Sequence, residues 1–329
     1  MNVSNRNIGN IGKLLQREAI RIILERVQAS DLQDKFEDKG DASAVPGVKF
    51  EVEEHLNNPY MNRGEVPLAM DIFKPVVAED VELPVVVTIH GGGLVVGSRA
   101  ASRQYARVLA GRGYLVFSVE YRLAPRANSA EQLDDVCAGL DLIGRMLVDY
   151  NVDFTRMFLT AESAGAYLAI YVAAMRKSKK LRQAIGYDPS RMIFKALGLH
   201  SGMFYTTRRD PVGLLLADQF FGEKEMDPDF LQYMNPEHDE ILLNLPPVFL
   251  STSRGDFLNN YTLMYHKALK NAGKVSHLVY YGEKELGHAF PALNPLLPQS
   301  LDATDRMLAW FEEQAKIAYD ATREAIQSK

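Results

Sequence analysis

A single cysteine, Cys137, in a chain of 329 residues leaves no intrachain disulfide to form, so nothing in the sequence calls for an oxidising compartment. The same scarcity excludes a zinc site built from thiolate clusters, and no His-x-x-x-His pair replaces one. Cys137 itself reads as a small buried apolar residue in a helix. Long apolar runs are missing too: no window approaches the roughly 18 residues of a membrane span. The opening stretch MNVSNRNIGN is polar, and the KLLQREAIRIILERVQAS that follows carries a charge every few residues. Neither has the unbroken apolar core of a signal peptide. Basic runs are absent, and 37 Lys and Arg against 42 Asp and Glu give a net charge of -5. That balance argues against nucleic acid and against an anionic membrane surface as partners. These absences together lead us to expect a soluble, cytoplasmic chain with no membrane span.

What is present is core-forming. Hydrophobic residues make up 47% of the chain and charged residues 24%, enough to bury a large core. Ile11, Leu14, Leu15, Ile22, Ile23 and Val27 recur at helical spacing, which predicts an amphipathic helix over 11–28. Residues 37–47 end in Pro46-Gly47 and read as a linker. Strand-like runs follow at 48–56 and 68–75, with no helix between them, so the sheet is expected to start antiparallel. Then come apolar, β-branched runs at 83–91, 114–121, 157–161, 192–201, 247–253 and 275–281. Strands buried on both faces read this way. Helical stretches separate them at about 99–112, 129–149, 164–178, 260–273 and 300–326. The alternation predicts an α/β fold with a mainly parallel sheet of about eight strands and helices on both faces. Residues 202–245 are too long for a strand-to-helix connection and read as a lid inserted above the sheet's carboxyl edge.

In an open α/β sheet, ligands bind outside the carboxyl ends of the strands. Every strong candidate for chemistry falls there. The run AESAGA (161–166) places Ser163 where a strand turns into a helix. Small residues two before and two after let the backbone pass closely and expose a nucleophilic serine. The same run fits a serine that merely caps helix 164–178 equally well. A rival pattern at Ser251–Gly255 lacks a clear helix start and precedes Asp256. His90-Gly91-Gly92-Gly93 follows a buried strand and exposes backbone N–H groups, as the oxyanion of acyl transfer requires. Gly91 and Gly92 would supply two donors and Ala164 a third; the plain alternative is a flexible turn.

A serine needs an imidazole to take its proton and a carboxylate to orient that imidazole. Of the seven histidines, His288 lies in the loop after the last core strand and fits the base best. His200, at a strand end, is a weaker contender. Asp256 fits the acid, with turn formation or helix capping as its alternative. The order Ser163, Asp256, His288 is that of the α/β-hydrolases.

HGGGLVVGS (90–98), YRLAP (121–125) and AESAGA (161–166), with Asp256 and His288, together resemble the hormone-sensitive-lipase-like family of α/β-hydrolase esterases. The likeness runs from about residue 50 to the C-terminus. It implies a serine esterase without cofactor or metal, acting on short- to medium-chain acyl esters, acetyl included. Ser163 would be nucleophile, His288 base, Asp256 orienting acid, and Gly91, Gly92 and Ala164 oxyanion donors. It also implies a helical cap from residues 1–47 and about 203–243, set on a hydrolase core over 48–329. Lid aromatics Phe204, Tyr205, Phe220 and Phe221 would line an apolar substrate pocket, or else form the core of the lid.

The chain departs from the family's pattern in two places. Both outer glycines of G-D-S-A-G-G are alanine, and Glu162 takes the aspartate's place. Glu162 either orients lid or substrate groups or is a carboxylate favoured at a helix start. Around the acid, D-P-L-x-D becomes Asp256-Phe257-Leu258-Asn259-Asn260. A small-molecule binding protein on the same scaffold is a second reading, which the intact triad disfavours. Amide hydrolysis is a third. The open edge of the last strand offers a surface for a homodimer.

Overall fold

Alternating apolar positions decide which way each strand faces. Val85, Val87, Leu115, Phe117, Leu159 and Leu197 belong to one buried cluster, whereas Val86, Val116, Phe158, Ala196 and Phe249 belong to another. Successive residues of a strand point to opposite faces, so a run buried throughout must be covered on both sides. The protein, a computed structural model, is described over residues 47–64, 66–188, 191–208, 210 and 227–327. The helix expected over 11–28, most of the 37–47 linker, and Phe220 and Phe221 lie outside the described residues.

Eight strands form one sheet: β1 (Val52–Arg63), β2 (Val66–Pro75), β3 (Leu83–Ile89), β4 (Leu115–Val119), β5 (Val152–Glu162), β6 (Ala196–His200), β7 (Val248–Ser253) and β8 (Ser276–Tyr281). Their order is β1-β2-β4-β3-β5-β6-β7-β8. β1 and β2 pair antiparallel, as do β2 and β4; every other neighbour is parallel. The longer helices are α1 (Arg103–Ala110), α2 (Ser129–Met146), α3 (Ala164–Met175), α4 (Lys179–Ile185), α5 (Asn259–Asn271) and α6 (Pro298–Gln327). Residues of α2, α3 and α5 pack in the first cluster, and residues of α1 and α6 in the second.

Local signals account for several helix ends. Asn128 accepts from the N–H of Glu131 at 3.1 Å and Glu131 accepts from that of Asn128 at 2.9 Å, a reciprocal cap that starts α2. Helix α3 reads AGAYLAIYVAAM and every residue in it is buried. A helix apolar on all sides is stable only inside a core, and this one runs through the core behind Ser163.

Several elements differ from the sequence expectation. The first strand, expected at 48–56, occupies Val52–Arg63 and includes Asn57-Asn58-Pro59. Pairing with β2 through two register shifts carries those poor strand formers. The stretch expected as one helix over 99–112 divides into a 3-10 turn, Arg99–Ser102, and α1. Helix α4, with Ser178 accepting from Leu181 N–H at 3.0 Å and Gly186 closing it in the left-handed region, was not expected. No helix among the described residues is long and apolar enough to cross a membrane.

Candidate active site

Strands β3, β5, β6, β7 and β8 are adjacent and parallel, so their carboxyl ends share one edge. From that edge emerge the glycine loop, Ser163, His200, Asp256 and His288.

Ser163 sits between β5 and α3 with φ 51° and ψ -119°. A side chain in that region strains the backbone by about 1–3 kcal/mol. Two backbone hydrogen bonds hold it there: Ser163 N–H donates to His200 C=O, and Met203 N–H donates to Ser163 C=O, both at 2.9 Å. Behind it Gly165 passes so close to β3 that a Cβ would overlap the carbonyl oxygens of Ile89 and His90. Ala161 lies opposite Ile89 and Leu199 and is buried in the core, so its extra methyl is simply packed. The alanine that replaces glycine leaves the turn intact.

His288 and Asp256 complete a line with the serine. His288 Nε2 lies 2.8 Å from Ser163 Oγ, and His288 Nδ1 lies 2.7 Å from Asp256 Oδ1. A carboxylate only accepts, which assigns the proton to Nδ1 and leaves Nε2 to accept from the serine hydroxyl. The Asp256 carboxylate also accepts from Thr252 Oγ1 at 2.7 Å and from Leu258 N–H at 2.8 Å. Burial opposes its charge, but His288, Thr252 and the Leu258 amide more than offset this and hold its pKa below the ordinary carboxylate value. The acid and base loops are fastened together. Ser253 Oγ donates to Leu286 C=O at 2.5 Å, and a Cβ on Gly255 would overlap Lys284 O. Ala289 N–H donates to Ser201 Oγ at 3.0 Å, tying the base loop to β6.

The glycine loop corrects one expectation. Gly91 N–H donates to Glu162 Oε1 at 2.5 Å, so it is not open to an acyl oxygen. The amides of Gly92, Gly93 and Ala164 make no hydrogen bond among the described residues. Gly92 and Gly93 both have positive φ, 103° and 62°, a turn that glycine adopts without strain. Glu162 is thereby used on the loop rather than on substrate. Its partner must be glycine, because a Cβ on Gly91 would overlap Glu162 Oε2. Burial pushes the Glu162 carboxyl above its ordinary pKa, against the pull of the Gly91 amide and of His288 and His90.

A polar chain braces the loop from behind. His90 Nε2 meets Glu120 Oε1 at 2.7 Å, and the His90 ring stacks on Tyr121 at 4.3 Å. Tyr121 OH donates to His90 C=O at 2.9 Å. Glu120 in turn pairs with Arg99 at 3.2 Å, and Arg99 and Arg103 both pair with buried Asp71. Burial resists a charge on His90, but Glu120 prevails and raises its pKa.

The remaining candidates are structural. His200 Nδ1 lies 2.7 Å from Ser251 Oγ and Nε2 lies 2.8 Å from Tyr105 OH. Burial lowers its pKa to about 3, so it stays neutral. Ser251 is fully buried in β7, out of reach of a substrate, which removes it as a rival nucleophile. Phe204 is fully buried and stacks on Tyr265 at 4.2 Å, and Tyr205 OH donates to Glu237 at 2.5 Å. Both belong to the buried core cluster. The signal missed in the sequence is the brace: Glu120, Arg99 and Asp71 carry no motif, and only the fold brings them behind His90. Cys137 is buried in α2, as expected. Among the described residues no group of three or more His, Cys, Asp or Glu side chains is placed to hold a metal ion.

The family model for the alpha/beta hydrolase fold matches residues 86–292. A carboxylesterase of Mycobacterium tuberculosis, NlhH, is 28% identical over 260 residues, covering 75% of this chain and 78% of that protein. Esterase B of Lactobacillus rhamnosis, solved with a tributyrin phosphonate inhibitor, superposes with a TM-score of 0.82 at 23% identity, covering 93% of this chain and 98% of that one. Brefeldin A esterase, a bacterial homologue of human hormone-sensitive lipase, gives a TM-score of 0.70 at 18% identity, covering 91% and 86%.

Proposed function

The chain belongs to the α/β-hydrolase family, matched over residues 86–292, and from that premise we propose that it is a serine carboxylic-ester hydrolase of short- to medium-chain acyl esters. One observation carries the reading: the continuous line from Ser163 Oγ through His288 to Asp256, with bonds of 2.8 Å and 2.7 Å. The resemblance to a carboxylesterase over three quarters of the chain points the same way.

Ser163 Oγ attacks the ester carbonyl carbon while His288 Nε2 takes its proton. Asp256 keeps Nδ1 protonated and offsets the imidazolium charge. The carbonyl oxygen becomes an oxyanion and accepts from the Gly92, Gly93 and Ala164 amides, each such donor being worth about 10²–10³ in rate. As the tetrahedral intermediate collapses, the alcohol leaves with the proton from Nε2, and the acyl group stays on Ser163. Water then gives its proton to His288 Nε2 and attacks the acyl carbon; the bond to Ser163 breaks as Oγ takes that proton back, and the acid leaves. The N-terminus of α3 behind Ser163 favours the developing negative charge. The lone buried Cys137 suits the cytoplasm, where we place this activity.

Assay on p-nitrophenyl esters of two to twelve acyl carbons tests the reading. Turnover should favour short chains and fall by about 10⁴-fold or more in Ser163→Ala. Equal turnover in that variant, or none in the folded wild-type protein on any ester, overturns it.

A further inference from the structure

Phe257 stands apart from the residues on either side of it. Asp256 and Leu258 are buried, whereas Phe257 is 73% exposed. Its position is fixed despite that exposure. Leu258 N–H donates to Asp256 Oδ1 at 2.8 Å, and Asn259 N–H and Nδ2 donate to Asp256 C=O at 3.1 and 2.8 Å. The backbone on both sides is therefore pinned, and the ring projects outward at the site's edge. There its centroid lies 4.3 Å from that of the His288 imidazole, with the planes tilted by 40°. Here the chain also leaves the family pattern, carrying an aromatic ring in place of proline.

We propose that Phe257 selects the alcohol half of the ester, favouring aromatic over aliphatic alcohols. The inference rests on the hydrolase reading above. For the alcohol to leave, its oxygen must come within about 3 Å of His288 Nε2 to receive the proton. The first atoms of the alcohol therefore lie against the imidazole, within reach of a ring already in contact with it. An aryl alcohol offers a flat face or edge to Phe257, and aromatic pairs gain beyond the area they bury. The acyl half is held on Ser163 and the glycine loop and does not share this contact.

The test uses one acyl group and several alcohols: phenyl and 2-naphthyl acetates against methyl, butyl and cyclohexyl acetates. Intrinsic leaving-group reactivity cancels in the variant-to-wild-type ratio of kcat/KM for each ester. Phe257→Ala and Phe257→Leu should lose about threefold to tenfold more on the aryl esters than on the alkyl esters. The leucine variant retains apolar bulk without an aromatic face, so it should resemble the alanine variant. An equal loss on every ester would mean that the ring only steadies His288, and no loss on any would mean that it touches no substrate. Either overturns the proposal while leaving the hydrolase reading standing. A wild-type protein inert on all esters would overturn both.

Discussion

Ser163 and Glu162 are neighbours in the chain with opposite tasks. One meets His288, and the other turns back to hold Gly91. Removing the Glu162 side chain leaves the Gly91 amide without its acceptor, and a lost partner of this kind costs about 1–3 kcal/mol. Because that amide precedes the two unpaired ones, the loss should appear in kcat. We predict that Glu162→Ala lowers kcat by about tenfold to a hundredfold, with KM little changed. Glu162→Gln, which can still offer an oxygen to Gly91, should recover most of it. Steady-state kinetics on one ester decide the matter, and an alanine variant at the wild-type rate would sink the role. Ser163, Asp256 and His288 were legible from their positions at strand ends and their order. Which of three consecutive glycine amides is taken up by a neighbouring side chain was not. That depends on positive φ at Gly92 and Gly93 and on the direction of the Glu162 side chain, neither of which leaves a mark in spacing.

At the level of elements, β6 joins the site to the core. Its last residue, His200, pairs in register with Glu162 on β5 and Ser251 on β7, and its ring is locked neutral between Tyr105 and Ser251. The folded pKa of about 3 lies below the unfolded value of 6.5. Between the two the unfolded chain binds a proton that the folded chain refuses, so stability falls as pH falls through that window. The loss is on the order of 1.4 kcal/mol per pH unit at most. Asp256, with its folded pKa held below 3.8, adds to the loss only at lower pH. Urea midpoints measured from pH 7 to 4 should fall steadily in the wild type and more gently in His200→Gln. Parallel slopes would exclude His200 as the acid-sensitive group. The core strands were readable because they are buried on both faces. β1 was misplaced by several residues because Asn57-Asn58-Pro59 is carried by its pairing with β2, not by propensity. Helix α4 was missed because seven residues are too few for a periodic signal to emerge.

Across the whole molecule, the order β1-β2-β4-β3-β5-β6-β7-β8 was not readable from hydrophobic patterns, although the strand number and the mainly parallel pairing were. Patterns report burial, whereas order depends on which crossovers the packed helices permit. The order places the glycine loop, after β3, beside the serine, after β5, and sets the acid and base at the far side of β6. The bond from His288 to Ser163 joins residues 125 positions apart, and that from His288 to Asp256 spans 32. Closing long loops and pairing parallel strands are slow steps in folding. During refolding from urea, ester turnover should therefore recover later than far-ultraviolet circular dichroism, and coincident recovery would contradict this. His288 follows β8, so the three side chains meet like the parts of a clasp only once that strand has docked. On the proposed mechanism, a chain that held its helices and most of its sheet but lacked that last pairing would be inert.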